Sequence, residues 1–187
     1  FAGRFAETIA DRLLARFGSL DRLLTASDQQ IVAACEERAD IGSMIAGART
    51  LVLAAFEESI TRAAVDPNDQ KLARYLTLKF RGRPYEELHA IFVDYNHGFL
   101  AEELVSIGDA GRVEARVSAI MRRAMELGAS GFYLLHNHPS KAPNPSVEDV
   151  RATRQVAGIA HALDITLLDH WIIAGTNVIS MRRLGLL

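Results

Sequence analysis

The rhythm of apolar and polar positions changes once along the chain. Through the first sixty-odd residues the apolar ones recur at helical spacing. Ile9, Leu13, Leu14 and Phe17 line one face of ETIADRLLARFGSLDRLL, a pattern broken near Gly18. TASDQQIVAACEERADIG predicts a second helix, opened by Ser27 or Asp28 and ended before Gly42, and an apolar-rich third helix is expected over 43–64. AVDPNDQ, residues 64–70, has the Asp, Pro and Asn content of a linker. These features place a small all-helical module at 1–66 and a second domain at 67–187.

The second domain reads differently. KLARYLTLKFRG is expected as strand material after a helical turn, interrupted at Pro84. LHAIFVDYN and GFLAEELVSIG read as two strands, with His97 and Gly98 turning between them. EARVSAIMRRAMELG sets Val117, Ile120, Ala124 and Leu127 on one helical face, with Arg122, Arg123 and Glu126 outside. ASGFYLLH is a buried strand, and SVEDVRATRQVAGIAHAL a helix striped by Val150, Thr153, Ala157 and Ala160. DITLLD and HWIIAG supply further strand material. Strands alternating with helices predict an α/β domain, a mixed sheet flanked by helices.

Composition narrows the function classes. With 187 residues, 49% hydrophobic and 24% charged, the chain can bury one sizeable core, or a core plus a small module. No apolar run approaches the ~18 residues of a membrane span, and no signal-like start is visible, so a cytoplasmic protein is expected. Cys35 is the single cysteine, which excludes an intrachain disulfide and a Cys-rich metal framework. It reads as a small buried hydrophobe. A net charge of -2 removes the simple argument for nucleic acid from a strongly basic domain.

Candidate chemistry concentrates in HNHPSKAPNPSVED, residues 136–149. His136 and His138 end an apolar strand, and a period of two puts both imidazoles on one side. The proline-rich stretch leads to a helix opened by Ser146, with Asp149 in its first turn, able to point back toward the strand end. Two histidine nitrogens and one carboxylate oxygen are the ligand set of a catalytic zinc site whose fourth position is left for water. Ser146-x-x-Asp149 is equally a capping box, which by itself accounts for both residues. A buried strand ending in His-Asn-His is costly unless its polar groups are satisfied, and that favours ligation. Iron, cobalt or manganese would suit the same groups.

His136-x-His138, seven intervening residues and Ser146-x-x-Asp149 together resemble the signature of the JAMM/MPN+ metalloproteases. Within that group, HNHPS and PSVED followed by ALDITLLDHWIIAG are similar to the bacterial RadC family, whose members are often named as DNA repair proteins. The resemblance covers about 70–187 and includes the ending ISMRRLGLL. It implies the MPN/JAB, cytidine-deaminase-like form of the α/β fold, with one zinc ion held by His136, His138 and Asp149. It also implies hydrolysis of a peptide or isopeptide bond in a peptide or protein substrate, with zinc as Lewis acid. Glu86, eight residues before Asp94, stands where the family carries the base that takes a proton from water and delivers it to the leaving amine. Glu87 is its rival, because alternation puts it on the opposite face, and the sequence leaves open which of the two faces the metal. Ser146 would hydrogen-bond the developing oxyanion.

The remaining polar residues are weaker candidates. Asn137 is expected to secure the loop and Ser140 could line the cleft, while Lys141 replaces the glycine common after HNHPS. Asp169 and His170 match the LLDH element, as orienting groups or as core hydrogen bonders. His89, His97 and His161 show no convincing partners, and Trp171 reads as core. The N-terminal module resembles the helix-hairpin-helix region that precedes RadC-like domains, but EERADIGSM offers acidic residues and one glycine where such hairpins hold phosphate. Partner docking or packing is at least as fitting a role for it. Two rival functions remain, a non-catalytic protein-interaction module and a DNA-associated repair or processing protein. The DNA-associated reading predicts binding that weakens steeply with salt.

Overall fold

The computed structural model describes residues 6–24, 26–36, 38–61, 64–80, 83–108, 113–140 and 142–187. The chain forms two compact units, Phe1–Glu57 and Glu58–Leu187. Among the described residues no helix is long and apolar enough to cross a membrane.

The first unit contains α1 (Ala6–Phe17), α2 (Leu20–Leu24), α3 (Asp28–Ala34) and most of α4 (Ala39–Thr61). Ile9, Leu13, Leu23, Ile31, Ala34, Cys35 and Ile41 form its core. Ser27 is the N-cap of α3: its side chain accepts from the Gln30 N–H, and the Gln30 side chain accepts from the Ser27 N–H. Gly42, expected as a helix stop, instead lies inside α4. A Cβ there would stand 2.6 Å from the Val32 Cα, so this glycine permits a close backbone crossing. Cys35 is buried as expected, but it caps α3 rather than sitting within it, and burial raises its thiol pKa.

In the second unit, the segment expected as strand material forms helix α5 (Gln70–Phe80). Leu76, Leu78 and Phe80 alternate as a strand would, but Leu72, Tyr75, Leu76 and Phe80 are the buried set, at helical spacing. The expected linker is docked rather than free. Val65 is buried and donates its N–H to the His97 carbonyl at 2.8 Å, and Ala64 bridges Gly98. The second compact unit begins at Glu58.

After α5 come β1 (Glu87–Val93), β2 (Phe99–Ile107), α6 (Val113–Leu127), β3 (Gly131–Asn137), α7 (Val147–His161), β4 (Thr166–Ala174) and β5 (Asn177–Ser180). The sheet order is β2-β1-β3-β4-β5. Only β3 and β4 pair in parallel, with α7 as the crossover between them. One face packs Ala90, Phe92, Phe132, Leu134 and Leu167 against Val117, Ile120 and Ala124 of α6 and Val156 and Ala160 of α7. The other face carries His89, edge-on to Phe80 of α5, and Tyr133 stacked on Trp171 at 4.5 Å.

DITLLD and HWIIAG prove to be one strand, β4, held through Asp169. This buried carboxylate accepts from the His170 and Arg182 N–H groups at 2.7 and 3.0 Å, from Trp171 Nε1 at 2.9 Å and from the Ser180 hydroxyl. It thereby ties β5 and the chain end to β4. Asp169→Ala would leave several buried donors without a partner, each worth roughly 1–3 kcal/mol. The expected outcome is a loss of about 2–4 kcal/mol in urea denaturation; an unchanged midpoint would contradict this role.

Candidate metal centre

The site forms where β3 ends and α7 begins, and strand alternation sets its sides. His136 and His138 project on the α7 side of the sheet, and the His138 N–H continues the β3–β4 ladder to the Ile173 carbonyl at 2.9 Å. Asn137 points the other way. Its Oδ1 accepts the Glu87 N–H at 2.8 Å and its Nδ2 donates to the Tyr85 carbonyl at 3.0 Å, which pins the entry of β1 to the end of β3.

Ser146 is the N-cap of α7. Its Oγ accepts the Asp149 N–H at 3.0 Å, while its own N–H and hydroxyl each donate to Asp149 Oδ2 at 2.7 Å. The capping box is thus formed, yet the carboxylate still faces the histidines. His136 Nε2 lies 3.7 Å from Asp149 Oδ1 and His138 Nε2 lies 3.6 Å from Oδ2. The two Nε2 atoms are 2.7 Å apart. Among the described residues, His136, His138 and Asp149 form the one group of three such side chains whose ligand atoms lie within 4.8 Å of one another.

The donor chemistry fits a cation. His138 Nδ1 lies 2.7 Å from the Ala142 carbonyl, which can only accept, so Nδ1 carries the proton and Nε2 a lone pair. That lone pair, the Asp149 carboxylate and His136 Nε2 converge. A proton on His136 Nε2 could serve His138, but the 3.7 Å approach to Asp149 is too long for a hydrogen bond. Two ligand atoms bound about 2.0–2.1 Å from one tetrahedral zinc stand about 3.3 Å apart; the two nitrogens are closer than that, at 2.7 Å, and the carboxylate oxygens a little farther, at 3.6 and 3.7 Å.

His136 is buried against the sheet, and its Nδ1 lies 2.8 Å from His170 Nε2. Burial pulls the His136 pKa down to about 4, with Asp149 opposing and His138 adding to the shift. Burial also lowers His170 well below the ordinary histidine range, with His136 and His138 adding to it. Both rings are therefore neutral at pH 7. The LLDH element splits in two: Asp169 holds the strand, while His170 reaches His136.

The two glutamates also separate. Leu88 pairs with His136, and Glu86 stands two residues before Leu88, just ahead of β1. Glu86 is exposed, outside the three-residue group, and its carbonyl accepts the Gly108 N–H at 2.7 Å. Glu87 turns to the other face, where its carboxylate lies 3.2 Å from His89 Nε2 and 3.4 Å from Arg83. His89, expected to lack partners, also approaches Glu102 at 3.0 Å, and Lys79 joins that carboxylate at 2.6 Å. Ser140 Oγ accepts the Ala142 N–H at 3.4 Å and stays out of the group; Lys141 lies outside the described residues. Thr153, read from the sequence only as part of a core stripe, places its hydroxyl 2.7 Å from His170 Nδ1. The available signal was a lone hydroxyl in an alanine and valine stripe, one helical turn after Asp149.

Residues 67–186 match the family model of the RadC-like JAB domain. A UPF0758 protein of Burkholderia ambifaria is 33% identical over 98% of this chain and 71% of its own length. UPF0758 proteins of Photobacterium profundum and Aliivibrio fischeri are 30% and 27% identical, each over 98% of this chain and 82% of the relative.

The depressed histidines set a pH dependence for the metal-free protein. Below the ordinary value of 6.5 the unfolded chain protonates residues 136 and 170 while the folded chain does not, so unfolding takes up protons. Stability in chelator should therefore fall as pH drops from about 6.5 toward about 4, and already between 6.5 and 5, where most carboxylates remain charged. Urea midpoints across that range check it; a flat profile would contradict the buried, neutral state of these rings.

Proposed function

The chain belongs to the RadC-like JAB domain family, and from that premise we propose that it is a zinc-dependent peptidase cleaving a peptide or isopeptide bond. The observation that carries the reading is the convergence of His136 Nε2, His138 Nε2 and the Asp149 carboxylate at spacings of 2.7, 3.6 and 3.7 Å, with at most one proton to share among them. His136, His138 and Asp149 would hold the ion, which when bound supplies Lewis acidity toward water and toward a scissile carbonyl.

The other roles fall to the chain's own residues. Glu86 accepts the proton of the attacking water and returns it to the leaving amine. Its support is its place two residues before Leu88, the partner of His136, and the engagement of Glu87 with His89 and Arg83. An exposed carboxylate at that position can also follow substrate entry. Ser146 donates to Asp149 Oδ2 at rest and so orients that carboxylate. Rotated off Oδ2, the same hydroxyl would donate to the oxyanion of the tetrahedral intermediate.

The test pairs metal content with cleavage. The parent should bind one zinc per chain and cleave members of a peptide mixture read by mass spectrometry. Asp149→Asn should lose stoichiometric zinc. Glu86→Gln should keep its zinc while cleavage falls by about 100-fold or more. Cleavage unchanged by Glu86→Gln rejects Glu86 as the base. A parent that holds zinc but cleaves nothing turns the reading toward a non-catalytic interaction module.

A further inference from the structure

We propose that Thr153 and His170 are positioning residues that set the tautomer of His136, through a directed chain of hydrogen bonds that starts and ends on the ligand residues. The inference rests on the metal centre proposed above and adds what keeps it open to a cation.

The direction follows from which atoms can donate. Thr153 Oγ1 lies 2.6 Å from the Asp149 carbonyl, and a carbonyl only accepts, so the hydroxyl proton points there. The Met181 sulfur, 3.8 Å from the same hydroxyl, is the weaker acceptor. With its one proton committed, Oγ1 must accept from its other neighbour, His170 Nδ1, at 2.7 Å. A neutral imidazole carries one N–H, so His170 Nε2 is then a lone pair. That lone pair, 2.8 Å from His136 Nδ1, requires the proton on His136 Nδ1. His136 Nε2 is left bare and faces His138 and Asp149.

The reverse order has a defined cost. It would place the proton on His136 Nε2, closing the site with a hydrogen bond to His138. The Thr153 oxygen and the Asp149 carbonyl would then stand 2.6 Å apart with no proton between them, whereas the forward order leaves the two Nε2 atoms 2.7 Å apart with no proton between them until a cation enters. Thr153 and His170 are 1% and 4% exposed, so water cannot repair that contact. The threonine hydroxyl thus sets its bond to the Asp149 carbonyl against a proton between the two Nε2 atoms, and the order it supports is the one that leaves His136 Nε2 open to a cation. The chain also closes a ring, because Asp149 supplies a carboxylate at the metal end and a carbonyl at the other.

Thr153→Val preserves shape and removes the hydroxyl, so His170 can protonate Nε2 and press a proton toward the ligand face of His136. Thr153→Ser restores the hydroxyl. Zinc affinity from chelator competition should fall about 10- to 100-fold in Thr153→Val and stay near the parent in Thr153→Ser. The ¹⁵N chemical shifts of metal-free protein at pH 7.5 give a readout independent of activity: His170 should be Nδ1-protonated in the parent and Nε2-protonated in Thr153→Val. Parent-like zinc affinity in Thr153→Val, or an Nε2-protonated His170 in the parent, overturns the proposal. If the parent binds no zinc, the metal reading falls alone, because the parent spectrum still decides the proton order, and it does so even should Thr153→Val fail to fold.

Discussion

Acceptors brought together around His136 must be held there by the fold, and that constraint organises the domain. His138 Nε2 and both Asp149 oxygens are electron-rich, and they meet at a buried strand end with His136. Each is fixed from behind: His138 by the Ala142 carbonyl, Asp149 by Ser146, His136 by His170. The parallel β3–β4 pair and its crossover helix α7 make this possible. They bring a strand's end, the first turn of the next helix and the following strand to one place.

The opposite face of the sheet helps to define the site by keeping a residue away from it. Glu87, His89, Glu102 and Lys79 form a largely buried polar group behind β1 and β2. Burial pushes the Glu102 carboxyl up, but the hydrogen bond from His89 and the charge of Lys79 outweigh it, and the group ends below the usual carboxylate range. Glu87 is drawn into this network, away from His136 and His138. Asn137, between the two histidines, bonds both Tyr85 and Glu87 and so fixes where that alternation starts. One residue of slip would exchange the two glutamates.

Much of this was legible in the sequence where a local rule and a spacing agreed. The α/β class, the RadC-like resemblance, the Ser146 helix start and the grouping of His136, His138 and Asp149 all follow from short-range pattern. What escaped depended on partners distant in sequence. Leu76, Leu78 and Phe80 satisfy a strand's period as well as a helix's, and only packing against β4 and β5 selects the helix. Gly42 resembles a helix stop until Val32 is found against it. That Glu87 turns to His89 and Arg83 needed the partners of β1. Thr153 shows nothing unusual until β4 brings His170 beside it.

Capping and ligation are not competing explanations of Ser146-x-x-Asp149. A helix start exposes unpaired N–H groups and carries partial positive charge, so an aspartate in the first turn is stabilised there before any cation arrives. Ser146 supplies two donors to Oδ2, while Oδ1 takes neither of them and faces His136. The cap therefore fixes the carboxylate in the orientation that ligation needs, and little side-chain freedom remains to be lost on binding. Thr153, one turn further along α7, extends the same economy. By bonding back to the Asp149 carbonyl it uses the helix backbone to direct a proton across the sheet. A single helical turn thus holds the Asp149 carboxylate by its cap and bonds Thr153, the neighbour of His170, through its main chain.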